Sequence, residues 1–318
     1  MPVSSSTNNG GTARPRVGLV GCGRWGRHIL RDLRSLGCEV PVLARSPASR
    51  ERAAEGGAAA IVGEVGALRG VDGVVVATPT STHAEVVTEA LSLGVPVYVE
   101  KPLTADLASA RRLAATAPER LFVMDKWRYH PGVQELARIA GSGELGEVVG
   151  IHSRRVTLGH RYSDVDTVWI HAPHDLAIAL EVLGEVPAPR QAVPELVGGE
   201  LAGMTAILGV APWMVLEVST LAPAHRRELR LVCEGGVAQL DGGYADAVVV
   251  ARAGAIDADS VERRPLDGEL PLLAELRAFV EHLEGGPPPL SSAAEAVAIV
   301  EAIEEMVALA GVTERAGA

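Results

Sequence analysis

The amino-acid sequence predicts an α/β protein with two domains, a doubly wound parallel sheet followed by an α+β domain with an open, mostly antiparallel sheet. Three observations lead to this prediction. From residue 16 to residue 124, short β-type runs alternate with helical stretches, as they do in parallel sheets that carry helices on both faces. A glycine-rich turn, residues 21–26, joins the first strand to the first helix. After Trp127 few helices intervene between longer strand-like runs, which is typical of an antiparallel sheet.

The predicted elements follow from apolar runs and the residues that bound them. Gly37 and Gly143 close the helices before them, because glycine tolerates the backbone conformation that ends a helix. The run 95–99 is almost wholly apolar and indicates a buried parallel strand. Strands are predicted at 16–20, 39–43, 61–62, 73–77, 95–99 and 121–124, then at 146–157, 203–210, 213–221, 228–234, 237–240 and 247–251. Helices are predicted at 25–36, from about 48, and at 83–93, 107–116, 132–142, 173–183 and 293–310, the last capped by Ser291 or Ser292.

The length of 318 residues fits this division into two domains. Residues 1–14 are polar and lack a hydrophobic signal core, so we expect a disordered tail. The parallel-sheet domain is expected at 15–127 and the second domain at 128–318, with the last helix a candidate to pack back on the first domain. The 35 glycines, 20 prolines and few aromatic residues are typical of a bacterium with a GC-rich genome.

Composition argues against several classes of protein. Hydrophobic residues make up 47% of the chain and charged residues 22%, which allows a sizeable core and excludes wholesale disorder. The formal net charge is −11 without a long basic run, so neither nucleic acid nor a membrane surface is an expected partner. No segment reaches the roughly 18 apolar residues of a transmembrane helix. Cys22, Cys38 and Cys233 lack metal-ligand spacing, so we expect reduced thiols, no metal and a cytoplasmic location.

The turn Gly21-Cys22-Gly23-Arg24-Trp25-Gly26 is a G-x-G-x-x-G sequence between a strand and a helix. In such a turn the first glycine makes the bend, the second lets a pyrophosphate approach the backbone, and the third allows close packing of helix and strand. The helix N-terminus adds N–H groups and positive potential for phosphates. In this setting a merely structural turn is the weaker interpretation, and the sequence predicts a Rossmann dinucleotide-binding domain.

The end of the second predicted strand distinguishes the two nicotinamide cofactors. An NAD enzyme places Asp or Glu there, about 20 residues after the glycines, to hold the ribose 2′-hydroxyl. This chain instead has Ala44, Arg45 and Ser46. An arginine and a hydroxyl suit a 2′-phosphate, so NADP(H) is favoured and NAD(H) stays possible. The alternative is that Arg45 stacks on adenine or faces solvent.

Glu100-Lys101-Pro102 directly follows the apolar strand at 95–99. Chemistry in open α/β sheets takes place beyond the carboxyl ends of the strands. A lysine there can lose part of its hydration and serve in proton transfer. On its own a Lys-Pro pair would be an exposed charge before a turn. Together with the glycine turn, Lys101 becomes the candidate acid/base of a nicotinamide enzyme.

Four segments together resemble the Gfo/Idh/MocA family, which includes glucose–fructose oxidoreductase and inositol dehydrogenase. They are residues 21–26, 77–83 (ATPTSTH), 100–103 (EKPL) and 173–176 (PHDL), and the turn 143–148 (GELGEV) extends the resemblance into the second domain. The resemblance implies a Rossmann domain and a C-terminal domain whose open sheet forms the cleft wall and often the dimer face. A homodimer or homotetramer through that sheet is therefore expected.

The resemblance also implies roles for individual residues. Lys101 would lie beside the nicotinamide and the reacting hydroxyl, with Pro102 in a cis peptide bond that helps to aim it. His174 matches a histidine that contacts the substrate hydroxyl. The resulting cofactor-binding candidates are Gly21, Gly23, Arg24, Trp25, Gly26, Ala44, Arg45, Ser46, Thr78, Pro79, His83, Glu100 and Lys101.

The sequence departs from the family pattern at one position. The family commonly has an aspartate four residues before the histidine, and here that residue is Ile170. Isoleucine accepts neither a proton nor a hydrogen bond, so the set of Lys, Asp and His is incomplete. His171 follows and could point into the site if this segment is irregular; otherwise it is a helix-entry residue without a catalytic part. Asp175 either orients a histidine or acts near the helix N-terminus.

Local resemblance is greatest to dehydrogenases that act on nucleotide-linked amino sugars and related sugar acids, over residues 129–133, 154–159 and 169–175. Arg155 and Arg161 would then bind a carboxylate or phosphate, or else lie on a solvated loop. The catalytic candidates are Lys101, His174 and His171. The substrate-binding candidates are Lys101, Tyr129, Arg155, Arg161, His171 and His174.

The expected activity is hydride transfer between NADP(H) and a carbinol or keto carbon of a sugar, nucleotide sugar or cyclitol, with Lys101 as acid/base. Because Ile170 replaces the aspartate, three alternatives stay open. They are imine reduction, redox-neutral nicotinamide chemistry, and cofactor binding with weak or no catalysis.

Overall fold

The computed structural model describes residues 14–159, 164–254 and 261–312. The first domain has a six-stranded sheet in the order β3-β2-β1-β4-β5-β6, in which all neighbouring strands are parallel. Its strands are β1 (Val17–Val20), β2 (Pro41–Leu43), β3 (Ala60–Val62), β4 (Gly73–Val76), β5 (Val97–Glu100) and β6 (Leu121–Met124). Its helices are α1 (Gly26–Ser35), α2 (Pro47–Glu55), α3 (His83–Leu91) and α4 (Leu107–Thr116). The predicted doubly wound sheet is confirmed.

The second sheet has eight strands in the order β14-β13-β12-β11-β7-β10-β9-β8. They are β7 (Val148–Leu158), β8 (Pro189–Val197), β9 (Glu200–Gly209), β10 (Trp213–Ser219), β11 (Leu221–Cys233), β12 (Gly236–Asp241), β13 (Ala247–Arg252) and β14 (Val261–Pro265). The helices are α5 (Pro131–Ser142), α6 (Thr167–Leu183), α7 (Pro271–Leu283) and α8 (Ala293–Leu309). Within this second sheet, β7 and β10 are the one parallel pair among the described strands and the other neighbours are antiparallel, so the mostly antiparallel sheet is confirmed.

Helix α6 begins at Thr167, six residues before the predicted start at Pro173. Proline is favoured at the first helical position, which is why the sequence suggested a start there. In the structure Asp166 caps the helix by accepting from the N–H groups of Val168 and Trp169, and Pro173 lies inside it. As a result Ile170, His171 and His174 share one continuous helix rather than a loop and a helix.

Helix α7 and strands β8 and β14 were not predicted from the sequence. The signal for α7 is present, because Leu272, Leu276 and Phe279 recur at helical spacing and all three are buried. In the structure α7 packs against the first domain, where the rings of Phe279 and Tyr98 lie 5.0 Å apart. This helix therefore brings second-domain sequence to one face of the first sheet.

Helix α8 also contacts the first domain. The N–H of Val123 in β6 donates to the main-chain oxygen of Ser291 at 3.0 Å. Ser292 caps α8, with Glu295 completing a reciprocal pair of hydrogen bonds. Of the predicted tail at 1–14, only Arg14 falls within the described residues. No helix in the described part of the chain is long and apolar enough to cross a membrane.

Candidate active site

The glycine turn has the backbone geometry that its sequence predicts. Gly21 has a φ of +94°, and a Cβ there would lie 2.7 Å from the oxygen of Ala77. A Cβ at Gly26 would collide with the oxygen of Gly21, whereas one at Gly23 would meet nothing within 4 Å. The first and third glycines therefore permit tight packing, and the second leaves open space above the backbone. Arg24, next in the turn, is exposed.

Two side chains from α2 tie the glycine turn to the second βα unit. Ser49 Oγ accepts from the N–H of Cys22 at 3.1 Å, and Arg52 Nε donates to the oxygen of Cys22 at 2.9 Å. Ser46 caps α2 by accepting from the N–H of Ser49. Ser49 was not identified from the sequence, since it is not part of a known short motif.

A cavity of about 340 Å³, here called the glycine-loop cavity, opens above the turn. The ends of β1, β2 and β4 form its walls, and no Asp or Glu is among the described residues that line it. Its lining includes Gly21, Gly23, Ala44, Arg45, Ser46, Ser49, Arg52, Thr78 and Pro79. Arg45 is exposed at the rim, as the sequence allows for either a phosphate ligand or a solvent-facing charge.

A second cavity of about 330 Å³, the lysine cavity, continues from the first. The two cavities share Ala77, Thr78 and Pro79. The lining of the lysine cavity includes Trp25, Glu100, Lys101, Met124, Lys126, Asp164, Ile170, His174 and Glu275. Together the cavities form one groove along the carboxyl ends of the first sheet, which is where open α/β sheets bind ligands.

Lys101 lies in this cavity at the end of β5, and its peptide bond to Pro102 is cis. Its Nζ donates to the main-chain oxygen of Ile170 at 2.9 Å. Burial lowers the pKa of Lys101 to about 8; Lys126 and Arg155 act in the same direction, while Glu100 opposes the shift. A lysine with this pKa exchanges its proton near neutral pH.

The two histidines of α6 lie in different surroundings. His174 lines the lysine cavity, and no described group hydrogen-bonds its buried Nδ1. Burial and the charge of Lys101 hold the pKa of His174 well below its ordinary value, so the ring is neutral. Burial lowers the pKa of His171 to about 3, with Arg155 and Lys101 adding to the shift. The side chain of Ile170, rather than a carboxylate, completes this wall of the cavity.

Arg155 is engaged within the protein. It is 4% exposed, and its guanidinium forms a bidentate pair with Asp175, with distances of 2.8 and 3.1 Å. Ser153 Oγ donates to the same carboxylate at 2.6 Å. The pair joins β7 to α6, and the guanidinium lies 4.6 Å from the ring of Trp127. Asp175 therefore anchors Arg155 and does not orient a histidine. To bind a substrate, Arg155 must use N–H groups that Asp175 leaves free, or give up this ion pair.

Two further candidates have structural partners. His83 is buried behind the groove, where its ring nitrogens lie 2.9 Å from the oxygen of Pro102 and 3.0 Å from that of Thr78. It thus links the ends of β4 and β5 rather than lining either cavity. The hydroxyl of Tyr129 accepts from the N–H of Leu290 at 2.9 Å. Arg161, the remaining substrate-binding candidate, lies outside the described residues.

Trp25 and Glu100 are in contact in the wall of the lysine cavity. Trp25 Nε1 donates to the carboxylate of Glu100, and the ammonium of Lys126 lies 4.2 Å from the centre of the Trp25 ring. Lys126 follows the end of β6, so the strand-end rule that identified Lys101 could also have found it. Glu275 and Asp164 come from distant sequence, and no local pattern points to them.

Comparisons with known proteins agree on one family. Residues 15–124 match a family model described as an oxidoreductase family (GFO_IDH_MocA) with an NAD-binding Rossmann fold. An inositol 2-dehydrogenase from Saccharopolyspora erythraea is 31% identical over 250 residues, 71% of this chain and 73% of that protein. UDP-N-acetylglucosamine 3-dehydrogenase from Acidithiobacillus ferrooxidans is 31% identical over 211 residues, which is 65% of each protein and so just under two thirds.

Solved structures share the fold. The crystal structure of the same Acidithiobacillus ferrooxidans enzyme superposes with a TM-score of 0.83 at 24% identity, over 95% of this chain and all of that one. A 3-ketoreductase from Actinomadura kijaniata, solved with TDP-benzene and NADP, has a TM-score of 0.79 at 21% identity, over 93% of this chain and 98% of that one. The two-domain architecture is therefore shared over nearly the whole chain.

Proposed function

Because this chain belongs to the Gfo/Idh/MocA family of oxidoreductases with an NAD-binding Rossmann fold, we propose that it transfers hydride between NADP(H) and a carbinol or keto carbon of a sugar-like substrate. The observation that carries the proposal is Lys101. It lies in the lysine cavity at the carboxyl end of β5, hydrogen-bonded to Ile170 and with a pKa lowered to about 8.

The groove fits a nicotinamide dinucleotide. Open space above Gly23 and the N-terminus of α1 suit a pyrophosphate. The absence of Asp and Glu from the described lining of the glycine-loop cavity, with Arg45, Ser46 and Arg52 present, favours a 2′-phosphate over a free 2′-hydroxyl. When bound, the nicotinamide supplies or accepts the hydride.

Lys101 handles the proton that accompanies the hydride. In reduction its ammonium donates a proton to the substrate oxygen as the carbonyl becomes a hydroxyl. In oxidation its neutral amine accepts the proton of the hydroxyl. The oxygen of Ile170 holds Nζ in place, and neutral His174 presents ring nitrogens for the same substrate oxygen. At neutral pH a lysine with a pKa of about 8 is mostly protonated, which favours the reductive direction.

We further propose that the substrate carries a nucleoside diphosphate. A cavity of about 670 Å³ on the second sheet is lined by His225, Arg226, Arg227 and Tyr244, together with Asp241 and with Glu228, which pairs with Arg226. The guanidinium of Arg227 lies 5.8 Å from the ring of Trp127, on which Arg155 of the cleft also packs. Arginines suit phosphates and an exposed aromatic ring suits a base. The names of two relatives contain UDP-N-acetylglucosamine, which carries a nucleoside diphosphate, and inositol, which does not.

The proposed assembly is a homodimer or homotetramer through the outer face of the second sheet. Val193 and Ile207 on this face are 66% and 42% exposed. In the strand pairing, Thr205 lies opposite Val193, and Val215 lies opposite Ile207. Exposed apolar residues on one sheet face are typical of an interface. Light scattering coupled to gel filtration tests this: a monomer at micromolar concentration would contradict it.

A panel assay tests the proposed reaction. Purified protein is mixed with NADPH and with imines or with keto derivatives of nucleotide sugars, free sugars and inositol, while the absorbance of the reduced cofactor is followed. Turnover with a nucleotide-linked ketone is the expected result. Turnover only with imines indicates imine reduction, and product formation without net cofactor change indicates redox-neutral chemistry. Tight NADPH binding without turnover of any member would mean that the protein only binds the cofactor.

A further inference from the structure

Two charged side chains of the lysine cavity, Glu275 and Lys126, have no part in the proton transfer described above. Glu275 lies on α7, and Lys126 follows β6. Both line the cavity together with Trp25, which precedes Gly26 in the glycine turn. These three residues belong to elements that pack on the first sheet, whereas Ile170 and His174 on α6 supply the wall from the second domain. Glu275 and Lys126 thus lie on the cofactor side of the cavity.

Glu275 has an unused hydrogen-bonding atom at this cavity. The residue is 1% exposed, and no group in the described part of the chain hydrogen-bonds Oε2. Burial raises the pKa of Glu275 well above its usual value, with Glu100 adding to the shift and Lys126 opposing it. A buried polar atom without a partner is costly. Its persistence at a cavity wall indicates that a ligand group supplies the missing partner.

Lys126 provides the complementary atom. Its ammonium lies 4.2 Å from the centre of the Trp25 ring, and Trp25 in turn donates to Glu100. The aromatic contact holds the ammonium at the cavity wall and leaves its N–H groups available, because a ring face is a weak acceptor compared with an oxygen. A donor and an acceptor therefore both line the cofactor side of the cavity.

We propose that Glu275 and Lys126 bind the carboxamide of the nicotinamide ring. The ammonium of Lys126 donates to the carboxamide oxygen, and the carboxyl of Glu275 accepts from the amide NH₂. A carboxamide is the group of the cofactor that presents both an acceptor and a donor at one position, so it matches this pair. By fixing the carboxamide, the pair fixes which face of the ring is turned toward Lys101. This inference rests on the proposed function, since it requires that the groove hold a nicotinamide dinucleotide.

Cofactor fragments separate this role from a structural one. Calorimetric titrations compare NADP⁺, its nicotinic-acid analogue, and 2′-phospho-ADP-ribose, which lacks the nicotinamide. Because its raised pKa makes Glu275 a neutral carboxyl, which can accept from an amide or donate to a carboxylate, the wild-type protein is expected to bind NADP⁺ and the nicotinic-acid analogue with similar affinity, and both more tightly than 2′-phospho-ADP-ribose. Glu275→Ala is expected to weaken NADP⁺ about tenfold and leave 2′-phospho-ADP-ribose unchanged. Glu275→Gln, which keeps the side-chain volume and an acceptor oxygen, is expected to retain most of the NADP⁺ affinity.

Glu281→Ala, at an exposed position of the same helix, is the matched control and should leave all three affinities unchanged. Equal losses of NADP⁺ and 2′-phospho-ADP-ribose in Glu275→Ala and Glu275→Gln would overturn the inference, because Glu275 would then support the groove as a whole. Unchanged NADP⁺ affinity with a raised KM for substrate would also overturn it and assign Glu275 to the substrate. If the wild-type protein bound neither NADP⁺ nor 2′-phospho-ADP-ribose, the proposed function itself would fail.

Discussion

Lys101 Nζ donates its hydrogen bond to the main-chain oxygen of Ile170, at the position where the family commonly has an aspartate. A main-chain oxygen is present whatever the side chain, so the lysine is still aimed although the carboxylate is missing. What changes is the charge. A neutral acceptor stabilises the ammonium less than a carboxylate does, which agrees with the lowered pKa of Lys101.

Replacing Lys101 by alanine is expected to lower kcat by roughly 10²–10⁴-fold, the usual contribution of a general acid or base. Affinity for NADP(H) should change little, because the glycine turn and Arg45 are untouched. Steady-state kinetics and a cofactor titration measure the two quantities separately. Unchanged turnover would remove the lysine from the mechanism.

The rate should depend on pH through Lys101, whose pKa is about 8. Reduction needs the ammonium, so kcat for a ketone should be constant below pH 8 and fall as the pH rises through it. Oxidation needs the neutral amine, so its kcat should rise over the same interval. Parallel pH profiles in both directions are the measurement. Profiles that move in the same direction would show that another group controls the rate.

Ile170→Asp tests the missing carboxylate directly. A carboxylate within a few ångströms of the Lys101 ammonium favours the charged form, so the inflection near pH 8 should move upward by about 1 unit or more. Ile170→Asn is the control, because it has similar volume and no charge and should leave the inflection in place. An identical inflection in both variants would mean that this side chain does not sense the lysine.

Arg45→Ala is expected to weaken the binding of NADP(H) by about ten- to a hundredfold while that of NAD(H) changes little, because a charge-assisted contact to the 2′-phosphate is worth roughly 1.5–3 kcal/mol. Paired titrations with the two cofactors give the ratio. Arg69→Ala, an exposed arginine away from both cavities, serves as the control. Wild-type protein that prefers NAD(H) would contradict the assignment.

Arg155→Ala should destabilise the fold by about 3–5 kcal/mol, because it leaves the buried Asp175 carboxylate without its partner. The double variant Arg155→Ala with Asp175→Ala should recover part of that loss. Urea unfolding gives the free energies of unfolding. If Arg155 also binds substrate, the double variant will fold but show a raised KM, and an unchanged KM would leave the arginine with a purely structural part.

Sequence predicted the first domain almost completely because its signals are local. Each strand is a short apolar run, the glycine turn is contiguous, and Lys101 follows its strand directly. The second domain contributes to the site through distant partners. Arg155 and Asp175 are twenty residues apart, and their pairing depends on how α6 packs on β7. Glu275 reaches the cavity only because α7 packs on the first sheet, and the acceptor for Lys101 is a backbone atom that no residue letter encodes.

The contacts of the last two helices with the first sheet have a consequence for how the protein is made. Strand β6 forms a backbone bridge to Ser292, and Phe279 of α7 packs on Tyr98 of β5. The N-terminal half of the chain leaves the ribosome long before these partners exist. Until they arrive, β6 presents an uncovered sheet edge, which is prone to pairing with other chains. The first domain is therefore synthesised first but completes its packing only after the last two helices are made. Truncation before α7 would remove the helices that pack on the first sheet, and Glu275 with them.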